Sequence, residues 1–208
     1  MAQRERRAAS LAAGAARVGW KMGRGIEEIE AVMGSEPVIG YLTSETLFES
    51  GSRHRADGAV ALRAEIELAL WVRDPERQGD ESEAIGGVAT ALELVDVQQG
   101  GRGAIEPILA ANVFHRAFAI GEVQPLTATA GRQARLWIDG ELRGSGRLLD
   151  DYTDTVRAAQ RCLMAIGETL RPGDFILAGS AVHVPVSAGE RVSGEIDGLS
   201  RLRVTIAA

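Results

Sequence analysis

Residues 60–72 read VALRAEIELALWV. The even positions, Val60, Leu62, Ala64, Ile66, Leu68, Leu70 and Val72, are all apolar, and the odd positions include Arg63, Glu65 and Glu67. A period of two is the signature of a strand with one face on a core. On a helix, Glu65 and Glu67 would diverge by about 200°. On a strand their bases lie about 7 Å apart on one face, opposite the core.

Two adjacent carboxylates repel each other unless solvent or a cation relieves them. From the pattern alone the pair reads either as a solvated strand face or as part of a cation site. That face carries no lysine, and its other members include Ala61, Ala69 and Trp71, which look half buried. Glu93 lies in a second apolar run, ALELVDV at 91–97. A carboxylate there needs a partner, because burying an unpaired charge is costly. The partner would be an Arg, or a cation shared with Glu65 and Glu67. Three carboxylates suit a hard ion such as Mg²⁺ or Mn²⁺. Asp96 is close enough in sequence to support them.

Working outward, residues 4–16 suit an alanine-rich surface helix. Residues 17–22 (RVGWKM) read as a short strand ended by Gly23 and Gly25, and 26–33 as a short helix closed by Gly34. EPVIGYL (36–42) turns and extends. Residues 82–91 read as a helix feeding a strand at 92–97. A glycine-rich loop (QQGGRG, 98–103), a helix at 104–112 and a strand at 114–121 follow. Asp139-Gly140, between two extended runs, is a hairpin signal. Residues 152–170 read as a helix stopped by Pro172-Gly173. A strand at 174–179 leads to two more, with turns at Ala188-Gly189 and Asp197-Gly198. Strands outnumber helices and do not alternate with them. This predicts an α+β fold, a single domain with a mostly mixed or antiparallel rolled sheet and flanking helices. Residues 1–16 form an N-terminal helix appendage and 17–208 the main domain.

The chain has 208 residues, enough for one core, and a net charge of −6. That charge argues against a nucleic-acid partner, since phosphate neutralisation needs a concentrated basic face. No apolar run approaches the ~20 residues of a membrane-spanning helix. The single cysteine, Cys162, points to a cytoplasmic location and reads as a core residue. His54, His115 and His183 lack metal-type spacing and read as surface or polar-packing residues. There is no GxSxG elbow and no phosphate-cradling loop with a lysine.

Of the 23 basic residues, Lys21 is the lone lysine. It lies in a glycine-bracketed strand, VGWKMG at 18–23, and not on a charged helix face. Arginine cannot shuttle protons, whereas a lysine can when desolvated or near other charge.

These segments together resemble the fumarylacetoacetate hydrolase family, most of all its 2-keto-4-pentenoate hydratase branch. The matching segments are VGWKMG, EPVIGYL, AEIELAL (64–70), ALELVD (91–96), Asn112, LRPGDFILAGS (170–180), VPVSAGERV (184–192) and GLSRLRVTI (198–206), in that order. The resemblance implies that family's C-terminal-domain fold and a homo-oligomer acting on small 2-oxo acids. Glu65, Glu67 and Glu93 would hold Mg²⁺ or Mn²⁺, Lys21 would move protons, and Asn112, Gly179 and Ser180 would bind substrate. Water would add to a 2-hydroxydienoate to give a 4-hydroxy-2-oxo acid. The sequence departs from the pattern at Val38, where many hydratases carry an acid. It departs again at the 97–103 loop, at Val113, Phe114 and His115, where small residues are usual, and at Val182. These departures leave open C–C hydrolysis of an acylpyruvate, decarboxylation of a 2-oxo acid, or a family member without catalysis.

Overall fold

The period-two run folds as a strand, Leu62–Val72, in a computed structural model that describes residues 2–24, 30, 37–75, 81–98, 105–126, 129, 131–148 and 152–207. The elements run α1 (Ala2–Ala12), β1 (Arg17–Gly23), β2 (Val38–Thr43), β3 (Arg53–Arg55), β4 (Leu62–Val72) and α2 (Glu81–Ala84). There follow β5 (Ile85–Asp96), α3 (Ile105–Ala110), β6 (His115–Ile120), β7 (Gln133–Ile138), β8 (Glu141–Arg147) and α4 (Thr153–Ala165). β9 (Phe175–Pro185), β10 (Arg191–Ile196) and β11 (Leu202–Ala207) close the chain.

The strands form two sheets, ordered β2-β1-β9-β4-β5-β6 and β3-β11-β10-β7-β8. Both are mixed: β1 runs parallel to β9 and β11 to β3, among otherwise antiparallel pairs. The fold is α+β, as the element pattern predicts. The core lies between the sheets. Ile66, Leu68 and Leu70 of β4 and Leu92 and Leu94 of β5 pack with Leu136, Val192, Ile196, Val204 and Ile206 of the second sheet. Gly194 of β10 permits this contact, since a Cβ there would sit 2.1 Å from Ile66 Cδ1. The Asp139-Gly140 hairpin is present, with φ of 51° and 87° at its two turn residues, the type I′ geometry that matches strand twist.

Several boundaries differ from expectation. The strand begins at Leu62, leaving Val60 74% exposed. Residues 85–91 are strand, not helix: β5 pairs with β4 from Leu62↔Asp96 to Val72↔Ile85. Its glycines make room for neighbours, as a Cβ on Gly86 would lie 2.5 Å from Trp71 Cζ3 and one on Gly87 2.6 Å from Val123 Cγ1. Tertiary pairing thus overrides the weak local propensity. The long helix stops at Ala165, where Gly167 takes φ 73° and the N–H of Glu168 caps Leu163 O. The 174–179 strand extends to Pro185, through the Gly179-Ser180 pair. The expected helix at 26–33 falls, apart from Glu30, outside the described residues. No helix among the described residues is long and apolar enough to cross a membrane.

Candidate metal centre and its lysine

The register of β4 on β5 builds the centre. Glu65 lies directly across from Glu93, and Glu67, two residues on, shares their face. Carboxylate oxygens of Glu65, Glu67 and Glu93 all lie within 4.8 Å of one another. Like charges opposed across two strands are destabilising without a counter-ion. Glu67 and Glu93 are buried, and the Glu65 side chain keeps 14% exposure. The centre therefore reaches solvent on the Glu65 side. His183, across from Glu65 on β9 and 56% exposed, stands at that rim, its Nδ1 3.9 Å from Glu65 Oε1.

Lys21 joins from β1. In ladder order β9 and β4 separate β1 from β5, so a flat sheet would hold the two backbones about 14 Å apart. That exceeds the reach of the two side chains. The curl of the sheet closes the gap, and Lys21 Nζ sits 2.6 Å from Glu93 Oε1. It also donates to Val113 O at 3.1 Å. The stem of Lys21 lies over Gly40 of β2, where a Cβ would come within 2.7 Å of Lys21 Cγ.

Glu93 has a second partner that the sequence reading did not assign. His115 Nδ1 lies 2.6 Å from the same Oε1, and His115 Nε2 is 2.9 Å from Thr46 Oγ1. His115 is buried, so of its two readings, surface or polar packing, the second holds. Glu93 Oε2 is buried and has no hydrogen-bond partner among the described residues. The one signal available in sequence was His115 opening a strand beside the Glu93 strand. Asp96, in contrast, faces away from the trio: it accepts the backbone N–H groups of Val60, Ala61 and Gln98 and so caps the approach to β4.

The substrate-binding candidates take distinct places. Gly179, at φ 102°, donates its N–H to Glu67 Oε2 at 2.9 Å. Ser180 is exposed and in register with Glu67. The Asn112 amide is committed elsewhere: it accepts from Tyr41 N at 2.8 Å, donates to Tyr41 O at 2.8 Å and accepts from Gln3 of α1 at 3.1 Å. Cys162 is partly buried, its Sγ 3.3 Å from Pro37 O.

The charge states follow from burial and crowding. Burial and the neighbouring Glu93 push Glu65 up to about 7. Burial, Glu93 and Glu65 push Glu67 well above the usual carboxylate range. For Glu93, burial works upward, but Lys21 and His115 outweigh it and hold the carboxyl below its ordinary value. For Lys21, burial works downward, yet Glu93, Glu65 and Glu67 outweigh it and raise the amine. Burial lowers His115, which keeps its ring neutral. An oxygen-only donor set, an orphaned buried oxygen and two carboxylates reluctant to ionise together fit a hard divalent cation. Such an ion would supply the missing charge.

The family model described as fumarylacetoacetate hydrolase C-terminal matches residues 12–207. 4-Oxalocrotonate decarboxylase from Pseudomonas putida G7, complexed with magnesium and adipate, superposes with a TM-score of 0.87 at 23% identity, over 98% of this chain and 83% of its own. Fumarylpyruvate hydrolase from Pseudomonas aeruginosa, in complex with Mn²⁺ and pyruvate, gives 0.68 at 21% identity, over 92% and 89%. 5-Carboxymethyl-2-hydroxymuconate delta-isomerase from Mycobacterium smegmatis gives 0.67 at 20% identity, over 92% and 76%.

Proposed function

The chain belongs to the fumarylacetoacetate hydrolase family, and from that premise we propose that it is a metal-dependent lyase of small 2-oxo acids that adds water to a 2-hydroxydienoate. The observation that carries this reading is the Lys21 ammonium sharing Glu93 with two further convergent carboxylates. A Mg²⁺ or Mn²⁺ ion held by Glu65, Glu67 and Glu93 would polarise the 2-oxo group and take up enolate charge.

Lys21 holds a proton at Nζ in the neutral range, because the surrounding glutamates outweigh its burial. An ammonium has three donors. Glu93 Oε1 and Val113 O take two of them, which leaves the third for the substrate. Delivered to the far carbon of the dienol while the enol oxygen gives up its own proton, which restores the ammonium, that proton yields a 2-oxo-3-enoate. Water then adds to its conjugated bond, giving a 4-hydroxy-2-oxo acid. Ser180, exposed and in register with Glu67, would receive the substrate carboxylate through its hydroxyl. Gly179 instead steadies Glu67 through its N–H.

Hydrolysis of an acylpyruvate would need a His–acid pair free to activate water. His115 pairs with Glu93, but both of its ring nitrogens are engaged. His183 stands beside Glu65 and not Glu93, and at 3.9 Å its Nδ1 is beyond hydrogen-bond distance of that carboxylate. This favours a lyase. Decarboxylation of a 2-oxo-enedioate is a second reading, supported by Val38. It is buried in an apolar cluster with Val95, Val113 and Phe114, where an acid would supply a second proton-transfer group. Decarboxylation needs one proton donor, and Lys21 suffices. One of the matched folds is that of a decarboxylase.

The test is to follow dienoate absorbance with purified protein, Mg²⁺ or Mn²⁺, and EDTA, over a panel of 2-hydroxydienoates and 2-oxo-enedioates. Metal-dependent loss of the dienoate supports hydration, and CO₂ release supports decarboxylation. No EDTA-sensitive turnover across the panel would count against both.

A further inference from the structure

Residues 112–114 are strained. Asn112, Val113 and Phe114 take φ of 55°, 56° and 65° in succession. Left-handed backbone is uncommon for any residue but glycine, and for a β-branched residue such as Val113 it is an outlier. Strain of this kind persists only where the surroundings over-determine it. Here the Asn112 amide grips both backbone polar groups of Tyr41, and Gln3 of α1 braces that amide from behind. Val113 and Phe114 are buried with Val38, Val95 and Ile108.

The left-handed run delivers two groups to one place. Val113 O meets Lys21 Nζ, and His115 Nδ1 meets Glu93 Oε1. The second contact fixes a carboxylate that has two chemically different oxygens. Oε1 takes both Lys21 and His115, whereas Oε2 is buried with nothing bonded to it among the described residues. A hydrogen bond from Thr46 Oγ1 to Nε2 would set the ring tautomer with its proton on Nδ1, facing the carboxylate. Glu93 sits between Leu92 and Leu94 in the core strand, and nothing else described bonds its side chain.

We propose that His115 is the positioning residue of the centre: held by the left-handed run and by Thr46, it pins Glu93 Oε1 beside Lys21 so that Oε2 is the oxygen left to ligate a cation. This rests on the metal-centre reading of the carboxylate trio. His115 acts through Glu93 and touches no substrate.

The test measures metal binding and not turnover. Mn²⁺ affinity is read by calorimetry, and the bound ion by its electron paramagnetic resonance spectrum, for the wild type, His115→Ala, His115→Asn and Thr46→Val. Outer partners of metal ligands are typically worth about 10–100-fold in affinity. His115→Ala is expected to weaken Mn²⁺ by that factor and to broaden the spectrum. His115→Asn, which keeps a donor, should recover most of the loss. Thr46→Val, one bond further from the carboxylate, should shift affinity the same way by about threefold or more, a smaller loss than the one expected at His115. It tests the proposal even if His115→Ala fails to fold. Thr46→Val and any folded His115 variant binding within twofold of wild type, with unchanged spectra, would overturn the proposal. Wild type failing to bind Mn²⁺ would instead sink the metal-centre reading on which it stands.

Discussion

Lys21 is a buried amine in a slot shaped for it. Its stem lies over Gly40, and its nitrogen bridges Glu93 and Val113. Lys21→Arg would keep the charge but force a bulkier planar head into that slot, so it confounds chemistry with packing. Lys21→Met keeps the stem and removes only the amine. It is expected to lower kcat by about 10²–10⁴, the range of a lost proton-transfer group. Because an ammonium repels a dication, the same variant should bind Mn²⁺ at least as tightly as wild type. Steady-state kinetics and a Mn²⁺ titration check the two halves, and full activity in Lys21→Met would end the proton-donor role. The sequence makes Lys21 conspicuous as the lone lysine of the chain. It does not disclose that the amine's partner is Glu93, because that contact joins residues far apart along the chain.

Strand alternation is the property that local sequence transmits best, and β4 illustrates it. Leu62, Ala64, Ile66, Leu68, Leu70 and Val72 all face the core, and Glu65 and Glu67 face away. β5 was legible only in its second half. Ile85-Gly86-Gly87 has no strand signal of its own and is extended because β4 and Trp71 require it. The junction of β1 with β9 depends on a similar absence of side chain. Gly19 takes φ 153°, and a Cβ there would lie 2.0 Å from Phe175 O, its parallel partner. Gly19→Ala is expected to cost about 2–4 kcal/mol, combining backbone strain with a steric clash. In a chain of this size that is a fall in Tm of roughly 5–15 °C, measured by thermal denaturation. A change under 2 °C would mean that β1 need not approach β9 this closely. The left-handed run after α3 belongs to the same scale: Asn112 tolerates positive φ, but nothing in Val113 or Phe114 announces it, and the Tyr41 clamp and the buried cluster enforce it.

Across the whole molecule, the carboxylate trio ties stability to pH and to cations. Glu65 is raised from 4.5 to about 7 and Glu67 is raised well above 4.5, so the folded state holds protons that the unfolded chain releases. Protons bound in excess by the native state make this contribution fall as pH rises from about 4.5 through 7. A cation that replaces those protons offsets the loss, and it binds best where the carboxylates are ionised. The rise in Tm on adding Mn²⁺ is therefore expected to be larger at pH 8 than at pH 5.5, and binding should release protons. An equal or reversed shift would place the bound ion somewhere other than on this trio.

By itself the sequence determined which residues alternate. It thereby set the α+β class, the strand bearing Glu65 and Glu67 on one face, the anomaly of Glu93 in an apolar run and the singular lysine. These are local matters, written in side-chain period and composition. The tertiary structure alone decided which groups meet. It opposed Glu93 to Glu65, curled the sheet until Lys21 reached across it, buried His115 against Glu93 and turned Asp96 away to cap the approach to β4. Register and curl come from packing two sheets around a shared core, and no single segment carries that information.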